Sequence, residues 1–352
     1  MTRDELVSLV KGGEVMELVE IDISKGDFSG ADISGGVFQQ VNFDGSNLSG
    51  ANLTDCNFIN CRFEQVDLTS AIFKNTNFVE PEMSGANFSN TDVSRINFIT
   101  AVMNNCNFSR CDLSGTSFVT PDLHGASFEQ ANMNMASLIN ADLNSANFSQ
   151  ANLERTNFID CNLENVNFRD ANLQQPVFQS PDLQGQDFSG MNLTMAQFRD
   201  ANLSGCDFSG CDLTQTGFME ANLSDCKFDN ASANLAIFYG CRMLSTSLRK
   251  TKLEQASMQL CDLTNADLSG AHMVQAQLGE STCFGTNFTN ADLTYVDFSH
   301  ADLSNADMTN TQLFRANFHA IKEENVLWSG ANRNHALPLD EKRQRAEQWQ
   351  PK

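Results

Sequence analysis

Residues 147–173 read NFSQANLERTNFIDCNLENVNFRDANL. Phe148, Leu153, Phe158, Leu163, Phe168 and Leu173 recur every five residues, and each follows an asparagine: Asn147, Asn152, Asn157, Asn162, Asn167 or Asn172. Two places before the apolar centre stands a small residue, Ala146, Ala151, Thr156, Cys161 or Ala171, with Val166 a little larger. A period of five fits neither the 3.6 of a helix nor the 2.0 of a strand. It marks a short-repeat solenoid.

The register runs outward from this stretch without an insertion or deletion. Every apolar centre between Leu18 and Phe318 falls at a number ending in 3 or 8, 61 in all, with Ala233 and Cys283 as the small exceptions. Centres ending in 8 are Phe from Phe78 to Phe238 except Leu138, whereas those ending in 3 are mostly Leu. The quintet Ala151-Asn152-Leu153-Glu154-Arg155 resembles the A(D/N)LXX motif of pentapeptide-repeat proteins, and the resemblance covers about nine-tenths of the chain. It implies an all-β fold, a right-handed quadrilateral β-helix with four repeats per coil and the central Leu or Phe pointing inward. Twenty residues per coil then give about 15 coils, and a spacing of ~4.8 Å gives a rod of roughly 70 Å. Two opposite faces would send Phe inward and the other two Leu. Each buried centre contributes ~1.5–3 kcal/mol, enough to order such a coil.

An unbroken repeat over 352 residues reads as one elongated domain rather than two globular ones. The expected organisation is an N-terminal capping helix over 1–15, the β-helix over 16–331, and a C-terminal tail with a short helix over 332–352. Thr2-Arg3-Asp4-Glu5 is a capping-box pattern ahead of Leu6, Val7, Leu9 and Val10, so a helix over 2–11 ending at Gly12-Gly13 would cover the first coil. In the tail Asp340 can cap a helix over Glu341–Trp349.

The net charge is −22 and the pI about 4.4, which argues against direct nucleic-acid binding because no basic patch faces phosphates. Asp and Asn are what the position before each centre demands, so solubility is one account of the charge and nucleic-acid mimicry another. Ten of eleven cysteines (56, 61, 106, 111, 161, 206, 211, 226, 241 and 261) occupy the small position two before a centre, and Cys283 is a centre. They read as small buried residues, without zinc-type spacing, and free thiols suit a reducing compartment. With no signal peptide or membrane-spanning run, cytoplasmic synthesis is expected, with later export left open.

Residues 20 apart should stack. The column after the centre on one Phe face reads Ile59, Val79, Ile99, Val119, Ile139 and Ile159, then Gln179, Arg199, Met219 and Tyr239. Six successive β-branched residues give a stripe of roughly 25 Å at ~4.8 Å per coil. Either branched side chains stack on one another along a sheet face, or the stripe is a protein-binding or dimerising edge. Pro81, Pro121 and Pro181 stand at neighbouring corners. Tyr295 and Phe314, outward on one face, with Phe284 on another, either pack under the C-terminal tail, the favoured reading, or anchor a partner.

His300 and His319 fall on one face in adjacent coils, but two imidazoles without a fixed carboxylate make a poor metal site. No metal, cofactor or catalytic residue is expected, nor an obvious pocket. The expected function is a non-catalytic interaction scaffold that binds another protein through the stripe or its capped ends, with a homodimer also compatible. The segments DELVSLVKGGEVMELVEIDISKGDFSG and LPLDEKRQRAEQWQ resemble flanks of pentapeptide-repeat regions in bacterial type VI secretion accessory proteins. That implies an adaptor for a secretion effector or spike component, although the separate N-terminal domain often found there is missing. The alternative is an acidic DNA mimic that occupies a type II topoisomerase (gyrase), as quinolone-resistance members of the wider family do. Those are usually shorter, and some carry loops that interrupt the coils.

Overall fold

The structure, a computed structural model, describes residues 1–12 and 17–349. It falls into two compact units, Met1–Val177 and Phe178–Lys352, where the sequence suggests a single repeat domain.

Unit 1 opens with helix α1 (Arg3–Lys11). Its capping box forms as expected: Thr2 Oγ1 accepts the Glu5 N–H at 3.3 Å, and the Glu5 carboxylate accepts the Thr2 N–H at 2.7 Å. Gly12 closes the helix; Gly13, the other half of the expected stop, lies outside the described residues. Leu6 is fully buried, while Lys11 Nζ donates to Ser34 Oγ at 2.6 Å and pairs with Asp32 at 3.2 Å. The helix therefore lies over the first repeats, in the covering position the sequence predicts.

Eight short strands follow: β1 (Leu18–Val19), β2 (Val37–Gln39), β3 (Asn57–Ile59), β4 (Asn77–Val79), β5 (Asn97–Ile99), β6 (Ser117–Val119), β7 (Ser137–Ile139) and β8 (Asn157–Ile159). Each pairs with the next in parallel at an offset of 20 residues, as in Phe58↔Phe78. On the other faces the ladder consists of isolated bridges at the same offset, such as Asn132↔Asn152. Unit 2 begins within strand β9 (Val177–Gln179) and otherwise keeps to bridges, from Asp182↔Asn202 to Asn317↔Leu337. The fold is an all-parallel β-solenoid of the quadrilateral β-helix type. Its regular strands mark about eight turns rather than 15, because elsewhere the contact between turns narrows to one residue pair.

The centres point inward as expected. Phenylalanines 20 apart stack, Phe58 on Phe78 at 5.1 Å and Phe88 on Phe108 at 4.8 Å between centroids. The two columns meet edge to face, as Phe98 and Phe108 do at 6.4 Å. Both arrangements suit the quadrupole of the ring.

Three further rules emerge from the coordinates. On the bridge faces the Asn or Asp before a centre commonly accepts the N–H two residues on, as Asn147 accepts that of Ser149 at 3.1 Å, and several Asn also donate to their counterpart one coil earlier. Asn132 Nδ2 thus donates to Asp112 at 3.0 Å, Asn152 to Asn132 at 3.0 Å, and Asn172 to Asn152 at 2.9 Å. The local bond is the Asx turn that favours these residues. At the small inward position most hydroxyls and thiols donate to the carbonyl 23 residues back, as Thr76 does to Leu53 at 2.8 Å and Cys106 to Met83 at 2.9 Å, whereas Ser281 and Thr311 donate to the carbonyl three residues back. Finally, every fifth residue from Glu20 to Gly330 has a positive φ. Most of these are not glycine, and even Leu235 and Tyr295 adopt φ 59°, a conformation that costs a bulky residue energy and is held here by the coil.

In unit 2 the run of apolar centres ends at Phe318, which meets Trp328 edge to face at 5.6 Å, with the Arg333 guanidinium 4.5 Å above the indole. A 3₁₀ turn (Arg333–His335) precedes helix α2 (Glu341–Glu347), capped by Asp340 as expected but ending two residues before Trp349. Residues 350–352 of the expected tail lie outside the described residues.

Candidate functional site

Strand alternation places the residues on either side of each inward Phe on the outer face. Ile59, Val79, Ile99, Val119, Ile139 and Ile159 are therefore successive outward rungs of one ladder, paired in register through β3–β8. Five are half-buried against their neighbours, and Ile99 is 41% exposed. The packing reading and the surface reading both describe part of this stripe: the residues stack, and they still present apolar surface.

The adjoining corner explains the prolines. Among the described residues of unit 1, no backbone bond is donated by the N–H of residue 41, 61, 101 or 141 at this corner. Pro81 and Pro121, which have no N–H to give, occupy the same place without loss. Their carbonyls still serve the ladder, accepting from Val102 at 2.9 Å and Asp142 at 3.0 Å.

One rung of unit 1 is broken. The bridges Asn52↔Ile72 and Asp92↔Asp112 have no Ile72↔Asp92 partner between them. The Ser70 N–H turns instead to Thr91 Oγ1 at 2.8 Å. Phe73 fills a place held by Leu53 and Val93 in the flanking coils and is itself buried. A cleft of ≈ 610 Å³ opens there beside Lys74 and Arg95. A second, of ≈ 510 Å³, lies between Phe318, Ile321 and the tail residues Leu337 and Leu339. Sequence reasoning missed both, because pockets depend on how coils fit together.

Tyr295 and Phe314 do meet, edge to face at 5.6 Å, and Arg315 sits 5.8 Å from the Tyr295 centroid. They stay 43% and 48% exposed, so the expectation that the tail buries them is not met; Phe284 is 44% exposed as well. The tail goes instead to the histidines. His300 and His319 stand 5.3 Å apart, perpendicular, and Glu347 from α2 reaches both. His319 Nε2 lies 3.1 Å and His300 Nε2 3.3 Å from the carboxylate. The Asp340 N–H donates to His319 Nδ1 at 3.2 Å, so the His319 proton resides on Nε2, where Glu347 accepts it. Hydrogen bonds from His319, Arg343 and His300 hold the Glu347 carboxyl down at about 2. A carboxylate is thus fixed where the sequence offered none. Its source is 28 residues past His319 and is placed only by the docking of α2.

All eleven cysteines are free. Burial pushes thiols such as Cys56, Cys106 and Cys211 up to about 12, which removes them from nucleophilic chemistry. Among the described residues no helix is long and apolar enough to cross a membrane.

Two family profiles match the chain. One, described as "Pentapeptide repeat region", covers residues 51–128, 131–205 and 192–258; the other, "Pentapeptide repeats (8 copies)", covers 22–58, 246–282 and 283–319. No curated protein sequence matches it. Among solved structures it resembles HetL, involved in heterocyst differentiation regulation in the cyanobacterium Nostoc sp. strain PCC 7120, at 19% identity over 97% of this chain and 98% of that one, TM-score 0.23. It resembles QnrB1, a plasmid-mediated fluoroquinolone resistance protein, at 22% identity over 61% and 92%, TM-score 0.31. Rfr23 from Cyanothece 51142 matches at 25% identity over 37% and 89%, TM-score 0.22. At such TM-scores these likenesses carry no functional argument.

Proposed function

The chain belongs to the pentapeptide-repeat proteins, and on that premise we propose that it is a non-catalytic scaffold that binds another protein through the stripe of β3–β8. One observation carries this reading: the outward ladder Ile59–Val79–Ile99–Val119–Ile139–Ile159 leaves Ile99 41% exposed among half-buried branched neighbours. Contiguous apolar strips with polar surroundings mark protein contact sites. Tyr295 and Phe314 form a second, smaller aromatic contact in unit 2. Cytoplasmic synthesis fits the buried free thiols. The favoured partner is a type VI secretion effector or spike component, on the resemblance of the flanks. The net charge of −22 favours a second reading, an acidic mimic of DNA that occupies a topoisomerase.

The test is affinity capture from the native host with wild type beside Ile99→Asp/Ile139→Asp. Both side chains point outward, and a thermal melt beside wild type verifies that the double variant still folds. Recovery of a partner by wild type alone supports the stripe. Equal recovery by both removes it. A secretion component in the captured material supports the adaptor, and gyrase supports mimicry.

A further inference from the structure

We infer that His300, His319 and Glu347 form a binding site for a divalent transition-metal ion, with Zn²⁺ as the probe, that fastens α2 to the last coils. The three residues offer one ligand atom each, all within 4.8 Å of one another. Glu347 lies 3.1 Å from His319 Nε2 and 3.3 Å from His300 Nε2. Bonds of ~2.0–2.2 Å to a tetrahedral ion require ligand separations of roughly 3.3–3.5 Å, so small shifts bring these donors to the ion. Two imidazoles with a carboxylate suit zinc and its neighbours rather than calcium or magnesium. Three protein ligands leave a fourth position for water.

The surroundings define how the ion enters. His319 is only 1% exposed and its ring is fixed against His300, whereas His300 and Glu347 remain about one-third exposed, giving solvent a path. Arg343 Nε bonds to Glu347 at 2.7 Å and competes with a cation for that carboxylate. Binding at Nε2 also moves the His319 proton to Nδ1. There it faces the Asp340 N–H, so Asp340 must turn and the cap of α2 must rearrange. Helix α2 buries no residue. Its attachment rests on this polar cluster, and an ion joining two coil corners to Glu347 makes the attachment firm.

The experiment is calorimetric titration of ZnCl₂ into the untagged full chain, in a buffer that does not coordinate metals. Wild type takes up one Zn²⁺. Glu347→Gln and His300→Asn each weaken uptake by about tenfold or more, since even losing an outer partner of a metal ligand has that effect. Arg343→Gln tightens it by removing the competing cation. All three sites are exposed, and thermal melts verify that each variant folds. Zinc also slows hydrogen exchange across residues 341–347 in wild type and not in Glu347→Gln. Absence of saturable uptake, or uptake unchanged in Glu347→Gln, overturns the site. Unchanged exchange in zinc-bound wild type overturns the fastening.

Discussion

The same sequence column behaves differently in the two units. In unit 1 the residue after the centre is Gln39 in β2 and Ile or Val from β3 to β8, the face carries three-residue strands, and among the described residues the N–H groups of 41, 61, 101 and 141 at the following corner donate no backbone bond. In unit 2 the column becomes Arg199, Met219 and Tyr239, the strands shrink to bridges, and the corner closes with a bond. Ala221 N–H donates to Phe218 O at 2.9 Å, and Cys241 N–H to Phe238 O at 3.0 Å. Branching at Cβ restricts a side chain in helix-like backbone and favours the extended form. A β-branched residue after the centre therefore suits the open turn and longer strand of β3–β8, although β2 and β9 keep three-residue strands with Gln39 and Gln179 in that place. The apolar stripe and the regular strands coincide from β3 to β8.

The core is common to both units, so the largest effect should not distinguish them. Phe118→Ala and Phe218→Ala each leave a cavity in a stacked column and should cost about 3–5 kcal/mol, read as matching shifts of the denaturation midpoint. A mild effect in only one unit would mean that its column packs more loosely.

The corner should distinguish them. Ala221→Pro deletes the N–H that closes a tight turn and should cost about 1–3 kcal/mol. Ala141→Pro loses no such bond and should stay within about 1 kcal/mol of wild type. Equal losses in denaturant titrations would disprove the account of the two turns.

The smallest effect concerns α2. The Glu347 pKa lies at about 2 in the fold, against 4.5 for an ordinary glutamate. Because it is depressed, its contribution to docking is complete above pH 4.5 and is lost as pH falls through about 2. Hydrogen exchange of residues 341–347 should quicken in that interval while Phe208 and its neighbours stay protected. No change in α2 exchange between those limits would remove Glu347 as its tether.

Much of this was legible in the sequence. The period of five named the inward residues from Leu18 to Phe318, because each side chain's environment follows from its place in a repeat only five residues long. The stripe was found by adding 20, since that is the offset at which coils pair. The cysteines were placed correctly at the small position, but their bonds to carbonyls 23 residues back depend on the neighbouring coil. Positive φ at every fifth residue was hidden because Gln, Arg, Met and Tyr stand there as well as Gly and Asn.

The sequence by itself determined the repeat, its register, the composition of the core and the columns of the outer faces, for these follow from local spacing. Only the tertiary structure decided that the rung between Ile72 and Asp92 is open, that Tyr295 and Phe314 stay uncovered, and that Glu347 reaches His300 and His319. Those outcomes depend on how separate segments fit in space, and no spacing along the chain encodes that fit.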